Sequence, residues 1–161
     1  MTGRARVFGD DINTDYIITS RRKRESLDPA YLCQYLFEEL DPKFAATVQP
    51  GDLIVAGKNF GCGSAMEVAV TAVAGAGIRA VLARSFSRTY FRNAVNNGLL
   101  PIECDTSGIR EDDQIVIESG AVRNDSSGLV LPAAPLPAVM QQIISAGGLV
   151  PYMRMHGDFA L

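Results

Sequence analysis

Residues 53–67 read Leu53-Ile54-Val55-Ala56-Gly57-Lys58-Asn59-Phe60-Gly61-Cys62-Gly63-Ser64-Ala65-Met66-Glu67. The apolar run Leu53–Ala56 has the length of a buried strand, and the turn residues Pro50-Gly51-Asp52 lead into it. A glycine-rich bend follows, and the pattern then predicts a helix from Ala65 to about Ala74, ended by Gly75 and Gly77. Next come a strand at Arg79–Ala83, a helix from about Ser87 to Asn96 and a strand at Leu99–Glu103. The second helix stops at Asn97-Gly98, where glycine suits a left-handed cap. This β-α-β-α-β alternation predicts an α/β fold with a mainly parallel central sheet and covering helices.

Further out, Arg4–Phe8 has the character of a short strand, and Gly9 to Tyr16 is a polar turn region. A loop carrying Arg21-Arg22-Lys23-Arg24 precedes an expected helix from Asp28 to about Glu39, whose apolar face is Tyr31, Leu32, Tyr35 and Leu36. Beyond Cys104, Gln114–Glu118 alternates polar and apolar, Asn124–Gly128 turns, and Leu129–Leu131 answers it as a β-hairpin or meander. An amphipathic helix near Pro137–Ser145 and a short segment from Leu149 to Met153 end the pattern. No repeat or linker divides the chain, so residues 1–161 are expected to form a single domain.

Composition narrows the function. With 47% apolar and 20% charged residues the chain is neither disordered nor fibrous, and a net charge of -3 offers no general attraction to nucleic acid or anionic lipid. There is no apolar run of membrane-spanning length and no secretory core, which predicts a cytoplasmic protein without a membrane partner. Cys33, Cys62 and Cys104 are widely spaced and odd in number, suiting reduced thiols, and no CxxC pair is present to hold zinc or an iron–sulfur cluster. The single histidine, His156, sits near the C-terminus, so a Ser-His-Asp triad or a two-histidine metal site could be built only with help from another chain, and no metal site is expected here.

The segment Gly61-Cys62-Gly63-Ser64 puts a serine where a glycine-rich loop enters a helix, a place whose backbone N–H groups receive anions. Ser64 with Glu67 three residues on also fits a capping box, which explains both without any function. The ending Gly-Lys-Ser/Thr of a phosphate-binding loop is missing, and there is no GxGxxG dinucleotide fingerprint.

Four segments carry a resemblance that spans about two-thirds of the chain: Phe8–Ile18, Asp41-Pro42, Gly51–Ser64, and Ala80–Arg88 running into Phe91-Arg92-Asn93-Ala94. In order and spacing they resemble the small subunits of isopropylmalate dehydratase and homoaconitase, and the swivelling C-terminal domain of aconitase. The resemblance implies a swivelling β/β/α domain. It also implies one part of a hydro-lyase that moves a hydroxyl between adjacent carbons of a 2-hydroxy di- or tricarboxylate, isopropylmalate first. The large partner subunit would hold a [4Fe–4S] cluster, this chain none.

In such enzymes an alkoxide-like serine removes a proton, and Ser64 matches that serine, with Gly63 and Ala65 beside it facing substrate. Asp15, in the Thr14-Asp15 pair, matches an active-site aspartate, although an Asx-type turn explains it too. The basic run falls in the substrate-discriminating loop, where a guanidinium suits a carboxylate: Arg24 first, Arg22 second. A solvated loop or a surface for the large subunit explains most of that run equally well.

The chain departs from the family where Ser-Ser-Arg-Glu-His would follow: it has Ser64-Ala65-Met66-Glu67-Val68. Met66, in place of the arginine, is expected to border the cleft and to favour alkyl surface on the substrate. Homoaconitase or another alkylmalate dehydratase is therefore the alternative, and a catalytically silent anion-binding or regulatory subunit is the competitor from a different class.

Overall fold

The apolar runs expected as strands pair side by side in the computed structural model, which describes residues 1–157. β1 (Thr2–Val7), β2 (Leu53–Ala56), β3 (Ala80–Ala83) and β4 (Leu100–Glu103) are parallel. From β1 the sheet continues antiparallel through β5 (Gln114–Glu118), β6 (Ala121–Asn124) and β7 (Leu129–Pro132), in the order β4-β3-β2-β1-β5-β6-β7. Since β6 runs with β1, five of the seven strands point the same way.

Among the described residues eight α-helices surround the sheet: α1 (Thr14–Ile17), α2 (Ser20–Glu25), α3 (Pro29–Leu32), α4 (Phe44–Thr47), α5 (Val68–Gly75), α6 (Arg88–Asn96), α7 (Ala138–Ser145) and α8 (Leu149–His156). Alternate residues of a strand face opposite sides. Ile54, Ala56, Val81 and Ala83 therefore join one core with Leu32 of α3 and with Val70 and Val73 of α5. Leu53, Val55, Ala80 and Leu82 join a second with Ile115, Val122 and Leu131 of the meander. Each fully buried Leu, Ile or Val contributes roughly 1.5–3 kcal/mol. The two sheet edges approach at an antiparallel bridge between Cys104 and Ala133, with Ala134 N–H donating to the Glu103 carbonyl at 2.9 Å, so the sheet curls almost closed.

Three helical expectations are corrected. The helix expected over Asp28–Glu39 is only one turn, α3, extended by a 3₁₀ turn at Cys33–Tyr35. Phe37 then takes a left-handed backbone, φ 55°, because its fully buried ring stacks on Phe8 at 4.1 Å and meets Phe44 edge-on at 4.8 Å. Burial of that ring outweighs helical continuation. The basic run, read as a loop, is helix α2, capped by the Thr19 hydroxyl accepting from Arg22 N–H. The helix read from Ala65 begins only at Val68.

Candidate active site

The C-terminal ends of β1, β2 and β3 lie side by side, the usual place for a ligand in an α/β sheet. There the chains that leave β1 and β2 keep pairing past the strands. Gly57 N–H donates to Gly9 O at 3.0 Å, Asp11 N–H to Lys58 O at 2.8 Å, Gly61 N–H to Ile12 O at 2.8 Å and Thr14 N–H to Cys62 O at 2.8 Å. The segment after β3 supports this zipper from the other side: Phe60 N–H donates to Ser85 O at 3.0 Å, and the Ser87 hydroxyl to Gly61 O at 2.6 Å.

Two glycines make the approach possible. Gly61 (φ 75°) lies so close to the Tyr90 ring, and Gly63 (φ 90°) so close to the Asn13 side-chain amide, that a Cβ at either position would collide. The conformation and the space both demand glycine.

Ser64 emerges from this zipper exposed to solvent, between exposed Gly63 and Ala65. It does not cap a helix: the residue before α5 is Glu67, which makes no capping bond, and the Glu67 carboxylate instead accepts from Asn97 Nδ2 at 3.1 Å. Among the described residues the Ser64 hydroxyl has no hydrogen-bond partner, and the N–H groups of Gly63, Ser64 and Ala65 have no acceptor. The Ser64 carbonyl, by contrast, is held twice, by the Thr14 hydroxyl at 2.9 Å and by Met66 N–H at 2.8 Å.

Asp15 is half-buried beside it. Its N–H donates to Asn13 Oδ1 at 2.9 Å, the Asx turn that the sequence allowed, while its own Oδ1 accepts from the Ser20 hydroxyl at 2.6 Å and from Ser20 N–H at 3.1 Å. Met66 Sδ lies 3.8 Å from that same hydroxyl. Met66 corrects the expectation that it borders the cleft: it is only 3% exposed and packs in the first core, beneath the loop. An unbranched thioether fills such a gap where an arginine would have to be paired.

The two arginines differ. Arg22 is committed: it meets Glu38 at 2.9 Å and Glu25 at 3.0 Å, and its guanidinium sits 3.6 Å from the centre of the Tyr35 ring. The Arg22 hydrogen bond and charge hold the Glu38 carboxyl below its usual range despite partial burial. Arg24 is exposed and has no intramolecular partner among the described residues. Sequence reasoning missed Asn13 and Ser20 as members of the site and saw Thr14 only as part of a pair; the signal was the short polar side chains of Asn13-Thr14-Asp15 next to a glycine-rich partner loop.

The thiols do not converge. Cys33 packs against the first core and Cys104 in the second, on opposite faces of the sheet. Burial raises all three thiol pKa values, that of Cys104 to about 11, which disfavours their thiolate forms. No group of three or more metal-ligating side chains occurs among the described residues, and no helix there is long and apolar enough to cross a membrane.

Comparison with known proteins gives a consistent picture. Residues 35–107 match the aconitase C-terminal domain family. Over its full length the chain is 42% identical to 3-isopropylmalate dehydratase small subunit 2 of Archaeoglobus fulgidus, covering 99% of that protein. It is 46% identical to small subunit 1 of Methanopyrus kandleri over 98% of this chain and 95% of that one. The crystal structure of 3-isopropylmalate dehydratase from Methanocaldococcus jannaschii superimposes with a TM-score of 0.93 at 39% identity, covering 97% of this chain and 94% of that one.

Proposed function

Because the chain belongs to the family of 3-isopropylmalate dehydratase small subunits, we propose that Ser64 is the proton-transferring group of its active site. The chain is the small subunit of a heteromeric hydro-lyase. The reaction read for it is the interconversion of 2- and 3-isopropylmalate by loss and return of water, in the cytoplasm and with a large subunit as partner. Neither nucleic acid nor membrane takes part.

The observation that carries this reading is the exposed Ser64 hydroxyl, without a partner among the described residues, on a loop whose neighbouring N–H groups find no acceptor among them either. As an alkoxide, Ser64 takes the proton from the carbon next to the hydroxyl-bearing one, becomes a neutral hydroxyl, and returns the proton on rehydration. The unpaired N–H groups of Gly63, Ser64 and Ala65 supply the positive potential that makes an alkoxide accessible and orient the anionic substrate. Arg24 meets a substrate carboxylate, while Arg22 is engaged in holding α2 against Glu38 and Tyr35. Asp15, with one oxygen taken by Ser20, keeps its other oxygen for the substrate.

A [4Fe–4S] cluster, held by the large subunit, would supply Lewis acidity toward the departing hydroxyl. The cysteines of this chain do not converge to fit it: Cys33 packs against one core, Cys104 lies in the other, and Cys62 belongs to the loop that leads to Ser64. Gly63, Ser64 and Ala65 are all exposed, so the small subunit offers one wall of a site that another protein completes.

The test is Ser64→Ala assembled with the large subunit. Turnover should fall by several orders of magnitude, while thermal unfolding of the isolated chain stays near that of the wild type, because the hydroxyl makes no bond among the described residues. Near-normal turnover would refute the assignment. Separately, anaerobic treatment of the isolated chain with iron and sulfide should leave it colourless; stable cluster absorbance would assign the cluster to this subunit instead.

A further inference from the structure

Thr14 is 2% exposed and uses both of its donors on the loop that carries Ser64. Its N–H meets Cys62 O at 2.8 Å and its hydroxyl meets Ser64 O at 2.9 Å. The hydroxyl has one proton, and the alternative acceptor, Asn13 Oδ1, is farther away at 3.4 Å. A trans peptide is planar, so its C=O and the following N–H point in opposite directions. Holding the Ser64 carbonyl down toward buried Thr14 therefore turns the Ala65 N–H outward, to the open side of the loop where the Ser64 hydroxyl stands. Met66 N–H bonds the same carbonyl at 2.8 Å, but it belongs to the same loop and moves with it. Among the described residues, only Thr14 ties that peptide to a separate segment.

We propose that Thr14 is a positioning residue for the dehydration: its hydroxyl, by fixing the Ser64–Ala65 peptide, sets the direction of the Ser64 side chain and of the Ala65 N–H beside it. This inference rests on the assignment of Ser64 as the proton-transferring group. Thr14 touches no substrate and acts through Ser64 alone.

The experiment compares Thr14→Val, Thr14→Ser and Ser64→Ala in the complete enzyme, assayed with 3-isopropylmalate. Valine keeps the shape and removes the hydroxyl. Thr14→Val should lower kcat about ten- to hundredfold, the scale for a displaced catalytic group or lost oxyanion donor, with KM changed by less than about threefold. Thr14→Ser should restore kcat to within about threefold of wild type. A merely structural threonine would lower the yield of assembled enzyme and leave kcat per active site intact, and that result would overturn the proposal. Should Thr14→Val fail to fold, Thr14→Ser against Thr14→Ala differs by one hydroxyl; equal kcat in that pair overturns the proposal, and a drop confined to alanine upholds it. If Ser64→Ala is inactive while Thr14→Val retains full kcat, only the positioning role fails. If Ser64→Ala is itself active, the assignment of Ser64 fails first.

Discussion

The parallel half of the sheet and its antiparallel meander are built from strands of similar length, yet the Ser64 loop stands at the edge of the first. Every residue of β2 and β3 is buried, and side chains on the two faces feed two different cores. In β7 three of four residues are exposed, Val130 by 60%. Helices cover the outer face of the parallel half, so its connections must leave and re-enter at the strand ends, where β1, β2 and β3 bring three such connections together. The meander turns back through tight hairpins and leaves no comparable gathering of loops. The lesson is that rigidity behind the Ser64 loop is what permits its hydroxyl and N–H groups to remain unpaired.

Four tests sharpen or break this contrast. The largest stability effect is expected at Phe60, fully buried under the loop and packed edge-on against Tyr90 at 5.0 Å and Phe86 at 6.0 Å. Phe60→Ala should cost about 3–5 kcal/mol in denaturant unfolding. A cost no greater than that of Val122→Ala in the meander core would erase the claimed difference between the halves.

Next is Asp52, whose carboxylate is 5% exposed and receives Arg4 at 2.7 Å, with Arg6 at 3.7 Å. Burial opposes ionisation of Asp52, but the Arg4 hydrogen bond, Gln49 N–H and the two arginine charges outweigh it and lower the pKa. A lowered folded-state pKa means that this stabilisation is present above the ordinary carboxylate value near ~4 and is lost as pH falls through the folded value. Asp52→Asn should therefore cost about 3 kcal/mol at neutral pH and flatten the acid limb of a melting-temperature profile. An unchanged acid limb would remove Asp52 as its cause.

The arginines of α2 give the third test. Arg24→Ala should raise KM about tenfold and leave the melting temperature in place. Arg22→Ala should do the reverse, lowering the melting temperature because it releases Glu38 and Tyr35. Swapped outcomes would make Arg22 the carboxylate ligand. The smallest effect is Val130→Lys on the exposed edge strand, within about 0.5 kcal/mol of wild type and with normal turnover. A loss of activity there would mean that the meander is part of a functional surface.

The sequence by itself determined the strands and their parallel pairing, because short apolar runs separated by helix-length amphipathic segments leave little choice of architecture. It also marked the tight loop that presents Ser64, since Gly61 and Gly63 point to a backbone that favours glycine at such close approach. What only the tertiary structure decided were facts that depend on partners distant in the chain. Phe37 breaks its helix because Phe8 and Phe44 are there to receive its ring. Ser64 is not a cap because the helix begins at Val68, and its carbonyl is held by Thr14, 50 residues away. Met66 turns inward and Arg22 is occupied while Arg24 is not, since burial and ion pairing are settled by which side chains the fold brings within reach. Local pattern dictates which elements form; the energy of non-local contacts dictates which side chains remain free for chemistry.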